Sequence, residues 1–184
     1  MKVILISGKM QHGKDTFGEM IKKRLLKNEQ KSWIIHYGDY LKFFLKEYYG
    51  WDGEKNKNGR RLLQLFGTEI IRKEDPDFWV DLVARVVYAT RHNWDYVIIP
   101  DVRMKNEIER FYDFFDPADI ITVRIERKNI DNTTYLCSDY TSEQHNHESE
   151  VALDDYIFNY TIENRTLTEL EESADVLVEE LINS

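Results

Sequence analysis

The chain is poor in the residues that staple or interrupt small folds. Among its 184 residues there is one cysteine, Cys137, and there are three prolines. A single thiol excludes an internal disulfide framework and fits a reducing compartment. It also leaves no cysteine cluster for zinc. His145 and His147 have a His-x-His spacing, but no third His or Cys lies nearby, so metal ligation there is not expected. No run of about 18 apolar residues occurs, so no helical membrane span is expected. The apolar stretch in "MKVILISGKM" is too short for a secretory signal, and no small-residue cleavage site follows it; a cytoplasmic protein is expected. There is no Pro/Gly linker, internal repeat or low-complexity tract. The length suits one domain, and such a chain buries about 70% of its unfolded surface.

Basic residues are scarce in one region only. From Ser138 to Ser184 there are 13 Asp or Glu and a single Arg, leaving 24 basic and 21 acidic residues for Met1 to Cys137. The overall charge of −9 therefore hides a first part of the chain that is slightly basic and suited to a small anion. The acidic end reads as a solvated face, and polymeric nucleic acid is not an expected partner.

Apolar runs alternate with helical patterns. "KVILIS", "SWIIHY", "DYVIIPD", "DIITVRIE" and "FNYTIE" read as five short strands. Phe17, Met20, Ile21 and Leu25 recur at helical spacing, as do Trp79, Leu82, Val83 and Val86. The same spacing joins Ile108, Phe111, Tyr112 and Phe115. Residues Tyr40 to Arg91 read as mostly helical, with Asp75-Pro76 opening one helix. Thr166 and Glu169 form a capping box before a stripe of Leu167, Leu170, Ala174, Leu177 and Leu181. Asn129 to Gln144 is polar and aperiodic, a flexible-loop candidate. This alternation predicts an α/β fold, a parallel sheet with helices on both faces. In such sheets ligands sit beyond the C-terminal strand ends. The polar residues that follow the strands are Gly8 to Thr16, then Asp39 and Lys42, Asp101 and Arg103, Arg127 and Lys128, and Asn164.

The stretch "GKMQHGKDT" carries the chemistry. Gly8-x4-Gly13-Lys14 follows a strand and opens a helix, the pattern of a phosphate-binding loop. The glycines allow consecutive amides to point inward, the helix N-terminus favours an anion, and Lys14 supplies a charge for the β- and γ-phosphates. Lys9, Gln11 and His12 belong to the same loop, His12 as a shaping residue. Asp15 stands where many such loops carry a Mg²⁺-binding hydroxyl. A carboxylate there suits Mg²⁺ directly or through water, and Thr16 is placed for the α-phosphate. This departure disfavours motor and switch proteins and favours small-metabolite kinases.

The loop resembles that of phage-type deoxynucleoside monophosphate kinases, and also that of a phosphomevalonate kinase family. "RRLLQLFGTEIIR", "IIPDVRMKNEIE", "HESEVAL" and "IENRTLTEL" resemble further segments of the deoxynucleoside monophosphate kinases. Together they span nearly the whole chain. The resemblance implies a three-layer P-loop NTPase fold with a five-stranded parallel sheet, similar to nucleoside monophosphate kinases. It implies one domain over 1–184, with an acceptor-binding helical insertion at about 40–92 and a lid-like segment at about 128–147. The implied cofactors are ATP and Mg²⁺, the metal held by Asp15. Arg60 and Arg61 would approach the acceptor's phosphate, and Gln64, Gly67 and Thr68 its base and sugar. Trp79 would wall that pocket, though its helical apolar face equally suits the core. Arg72, Asp39 and Lys42 join the expected acceptor site, and Arg72 equally suits a helix C-terminus. Asp101, Arg103 and Glu107 would complete the centre, with Lys14, Asp101, Arg103 and Arg127 as the catalytic set and Asn164 on the ATP side. The implied reaction is ATP-dependent phosphorylation of (deoxy)nucleoside monophosphates, with small nucleotides as partners and room for a homodimer. Two alternatives stand beside it: a kinase of another phosphorylated metabolite such as phosphomevalonate, and a non-catalytic ATP-binding regulatory module.

Overall fold

Central strands of a parallel sheet are covered on both faces, so they read as nearly continuous apolar runs. The computed structural model follows this rule. It describes residues 1–54, 56–138 and 141–183, without the side chains of residues 57 and 144. The first strand, β1 (Lys2–Ser7), is buried from Val3 onward. It pairs in parallel with β3 (Tyr96–Val102) on one side and β4 (Ile120–Arg127) on the other. Beyond them lie β2 (Ser32–Ile34) and β5 (Tyr160–Asn164), giving an all-parallel sheet of order β2-β3-β1-β4-β5.

The side chains alternate between two cores, as strand geometry requires. Val3, Leu5, Val97 and Ile99 face Val80, Val83, Ala84 and Val87 of α4 (Phe78–Ala89). Ile4, Ile6, Ile98 and Ile125 face α1 (Lys14–Lys27) through Phe17, Ile21 and Leu25. A long C-terminal helix closes this second face with Leu170, Ala174 and Leu177. Each fully buried Val, Leu, Ile or Phe among them contributes roughly 1.5–3 kcal/mol.

Between β2 and β3 the chain builds a helical lobe. It runs through α2 (Tyr37–Tyr49), α3 (Lys57–Gln64) and a π-helical stretch, Leu65–Arg72, before α4. Leu41, Leu45, Trp51 and Trp79 form its small core. Past β3 come short helices, α5 (Asn106–Glu109), α6 (Ser142–His145) and α7 (Glu148–Val151), and finally α8 (Leu167–Asn183).

Several local expectations differ from the structure. The second strand stops at Ile34, because His36 leaves the sheet to cap α2. Asp75-Pro76 precedes its helix; α4 starts at Phe78, and the Asp75 carboxylate instead bonds the Asp77 amide at 3.1 Å. The pattern at 108–115 gives one short α-turn followed by a 3₁₀ turn. Thr166 does accept the Glu169 amide, at 3.2 Å, but Leu167 is exposed while the rest of its stripe is buried. In the expected lid, Lys128 and Thr134 form an antiparallel bridge; residues 139 and 140 of that segment lie outside the described residues. No helix among the described residues is long and apolar enough to cross a membrane.

Candidate active site

The five parallel strands end toward one edge of the sheet, and the loop after β1 is shaped by its neighbours. Gly13, the residue before α1, has φ +97°, a left-handed conformation that favours glycine. A Cβ there would also sit 2.8 Å from the Asn164 amide nitrogen, which donates to the His12 carbonyl at 2.9 Å. At Gly8 a Cβ would meet the Ile125 carbonyl at 2.6 Å. His12 is buried beneath the loop. Its Nδ1 accepts the Arg127 amide at 3.1 Å, so Nε2 carries the proton toward the Tyr135 carbonyl, 3.2 Å away. Burial lowers its pKa, consistent with a neutral imidazole that shapes the loop.

Lys14 is almost fully buried, and its ammonium donates to the Lys9 carbonyl at 2.9 Å. Burial, aided by the Arg103 charge, brings its pKa down to about 8. Lys9 turns away from the loop to Asp154, at 2.8 Å. Gln11 adopts φ +61° and accepts the Tyr135 hydroxyl at 2.7 Å. Arg127 donates to the Gln11 carbonyl at 3.2 Å and lies over the Tyr135 ring at 4.2 Å. It therefore covers the outer turn of the loop. Thr16 is exposed in the first turn of α1.

A charged chain crosses from α1 to α2. Asp15 bonds His36 Nε2 at 3.0 Å, His36 Nδ1 bonds Asp39 at 3.2 Å, and Asp39 takes Lys42 at 2.9 Å. The bonds to Asp15 and then Asp39 raise the His36 pKa to about 10, so the ring is an imidazolium at neutral pH. Burial works against the Asp39 carboxylate, but its bonds from His36 and Lys42 hold it well below the usual range. The His36 bond likewise lowers Asp15. Asp101, at the end of β3, accepts the Tyr37 amide at 3.2 Å. Burial raises its pKa to about 6.

Beside the loop opens a cleft of about 1090 Å³. Tyr37, Leu41, Leu63 and Trp79 give it an apolar wall, and Arg72, Asp101 and Arg103 a charged end. Gly67, Thr68 and Glu107 line it too. Trp79 has two surroundings. It packs in the lobe core, donates to the Gly67 carbonyl at 3.3 Å, and still lines the cleft. Glu107 acts on its neighbours: Oε1 takes Arg72 at 2.6 Å, while Oε2 takes the Arg103 and Met104 amides at 2.6 and 3.1 Å. Arg60, Arg61 and Gln64 lie on exposed positions of α3, outside the residues that line this cleft.

The structure adds residues that the sequence reading did not assign. His36 joins Asp15 to Asp39. Arg124 is buried, bonding Ser7 at 3.1 Å and Asp154 at 2.7 Å. Glu150 bonds the Met10 amide at 2.8 Å and pairs with Arg103. Glu150 and Asp154 come from the acidic quarter, so that quarter is not a solvated face throughout. The strand reading of "SWIIHY" includes His36, so the rule that picks Asp39 after the strand passes over it. Nothing local in the sequence marks Arg124 as paired.

Among the described residues no three His, Cys, Asp or Glu converge as a metal cage. Mg²⁺ needs none, because it binds one or two carboxylates together with phosphates and water. Asp15 fits that mode: it is an exposed carboxylate at the head of the loop with one oxygen engaged by His36.

Comparison with known proteins agrees with this geometry. The sequence profile of the deoxynucleotide monophosphate kinase family matches residues 35–135, more than half of the chain. A phosphomevalonate kinase from Drosophila melanogaster is 30% identical over 133 residues, covering 68% of this chain and 67% of that protein. Among solved structures, the APS kinase of Mycobacterium tuberculosis with AMPPNP and APS aligns at a TM-score of 0.52 and 11% identity, over 100% of this chain and 98% of that one. A gluconokinase from Sinorhizobium meliloti 1021 gives 0.53 and 12%, over 98% and 93%. Shikimate kinase from Bacteroides thetaiotaomicron gives 0.50 and 13%, over 100% and 99%. At such identities these structures show a shared fold, that of P-loop kinases.

Proposed function

The chain belongs to the deoxynucleotide monophosphate kinase family and is a phosphotransferase, and from that premise we propose that it moves the γ-phosphoryl group of ATP to a (deoxy)nucleoside monophosphate. One observation supports this acceptor most directly. The cleft beside the loop pairs an apolar wall containing Trp79 and Tyr37 with two arginines, Arg72 and Arg103. A flat base suits the first, and a phosphate monoester the second, because guanidinium forks match phosphate oxygens.

In this reading ATP's phosphates lie along Gly8 to Thr16, and the monophosphate lies in the cleft. The helical lobe at about 40–92 holds the acceptor, and the segment at about 128–147 covers the donor. Phosphoryl transfer asks for alignment and charge neutralisation more than covalent chemistry. The acceptor attacks through an oxygen of its own phosphate, already ionised, so no strong base is required. Lys14 neutralises the β/γ region, and Arg103, aimed by Glu107 through its own backbone amide, bridges donor and acceptor phosphates. Asp101 ties β3 to the start of α2, which fixes the cleft wall against the loop. Arg127 covers the outer turn of the loop, and Asn164 braces it from β5. Arg60, Arg61 and Gln64 reach the acceptor only if α3 moves toward the cleft, an ordinary closure in such enzymes. Asp15 would hold Mg²⁺, which would supply further neutralisation of the phosphates when bound.

The Drosophila relative favours a second acceptor, phosphomevalonate. That molecule has no ring to place on the apolar wall, and it carries a carboxylate besides its phosphate. A coupled assay of ADP release separates the readings. ATP is supplied with each deoxynucleoside monophosphate, each ribonucleotide, phosphomevalonate, or no acceptor. Release that depends on a deoxynucleoside monophosphate is expected. Release with phosphomevalonate alone would transfer the assignment to the second acceptor.

A further inference from the structure

The carboxylate of Glu150 sits at the mouth of the Gly8–Thr16 loop, although the residue belongs to the acidic quarter of the chain. Its Oε2 accepts the Met10 amide at 2.8 Å. Its Oε1 takes the Arg103 guanidinium. The side chain is only 3% exposed, and its charge acts on the Lys14 ammonium. Glu150 and Lys14 engage the same peptide unit, because Lys14 holds the Lys9 carbonyl and Glu150 the amide that follows.

A loop amide, a guanidinium and a nearby ammonium are the donors that take phosphoryl oxygens. Here a carboxylate has them. It carries the same sign of charge as a phosphate and accepts in the same way, so the two anions cannot hold these donors together. We propose that Glu150 is an internal stand-in for the transferred phosphoryl group, keeping the loop and Arg103 in position and yielding them to the donor's terminal phosphate. This rests on the loop being the ATP site. The geometry allows the exchange. Glu150 lies on α7, a helix of four residues whose first turn is fixed by His147 to the Ser149 amide at 3.2 Å. A small rotation of that helix, or a new rotamer of Glu150, releases both bonds.

Calorimetric titration with ADP and with the non-hydrolysable ATP analogue AMPPNP tests this, using wild type, Glu150→Gln and Lys14→Met. Removing the competing charge should lower the dissociation constant of AMPPNP by about tenfold in Glu150→Gln, because a neutral amide no longer repels the incoming terminal phosphate. ADP, which lacks the terminal phosphate, should change by less than about twofold. A residue that merely supports the fold would lower the melting temperature without tightening AMPPNP. Unchanged or weaker AMPPNP binding overturns the proposal, and so does an equal gain for both nucleotides. If Glu150→Gln does not fold, Glu150→Asp withdraws the carboxylate by one methylene and should give a gain of about threefold for AMPPNP alone. Failure of the underlying site assignment looks different: Lys14→Met would then bind AMPPNP as wild type does.

Discussion

Glu107→Gln is the most informative single change in the cleft. The carboxylate is 3% exposed, and each oxygen has its own donors, Arg72 on one side and the Arg103 and Met104 amides on the other. A glutamine offers one acceptor oxygen and one amino group. With its oxygen toward the two backbone amides, its NH₂ faces the Arg72 guanidinium, donor against donor. The opposite orientation sets the NH₂ against two N–H groups. The first is milder, because Arg72 is 28% exposed and can turn to water. The loss is then one charge-assisted bond and the weakening of two others. That amounts to roughly 2–4 kcal/mol, between the value of a single bond to a charged group and that of a broken buried pair. For a chain of this size each kcal/mol shifts the melting temperature by about 2–4 °C, so a fall of roughly 5–15 °C is expected. Thermal melts of Glu107→Gln, Arg72→Ala and the double variant would also give a coupling energy of about 1–3 kcal/mol. A shift under about 2 °C, or strictly additive variants, would refute the anchoring role.

Three further outcomes follow from the same geometry. Lys14→Met keeps most of the stem's apolar volume and removes the charge, so turnover should drop by orders of magnitude while the melting temperature barely moves; wild-type turnover would show that the loop is not the donor site. Arg103→Lys keeps the charge but loses the planar fork, so kcat should fall roughly 30- to 1000-fold, about 2–4 kcal/mol, with much smaller changes in KM; a near-normal kcat would defeat the bridging role. The lowered pKa of Lys14 means that its ammonium is present below about pH 8 and lost above it. The kcat/KM for ATP should therefore fall about tenfold per unit on the alkaline side, and a profile flat to pH 10 would contradict the assignment.

The sheet was readable in the sequence because buried parallel strands leave an unmistakable record. "KVILIS" is apolar on both faces from Val3 to Ile6, while "DIITVRIE" keeps Ile121, Val123 and Ile125 on one face and Thr122 and Arg124 on the other; both are central strands. The phosphate loop was readable for a similar reason, since Gly8, Gly13 and Lys14 are tied to local backbone geometry. Tertiary partners were harder to see. His36 belongs to an apolar-looking run, but its bonds to Asp15 and Asp39 draw it out of the strand. Asp75-Pro76 has the local chemistry of a helix start, whereas packing of Trp79 and Val80 sets the actual start two residues later. Glu150 lies in an acidic stretch that resembles solvated surface. Its pairing with Arg103, 47 positions away in the chain, and its bond to the Met10 amide, 140 positions away, bring it into the site. Contacts of that separation have no periodicity and no spacing to reveal them.

The central claim is transfer of a phosphoryl group from ATP to a nucleoside monophosphate. Its most direct measurement follows the label itself. ATP labelled in the γ-phosphate is incubated with the protein, Mg²⁺ and each deoxynucleoside monophosphate in turn, and the products are separated. The account predicts label in the β-phosphate of a deoxynucleoside diphosphate, at a rate that collapses in Lys14→Met. Label found only in inorganic phosphate, or in a phosphorylated non-nucleotide acceptor, would contradict it.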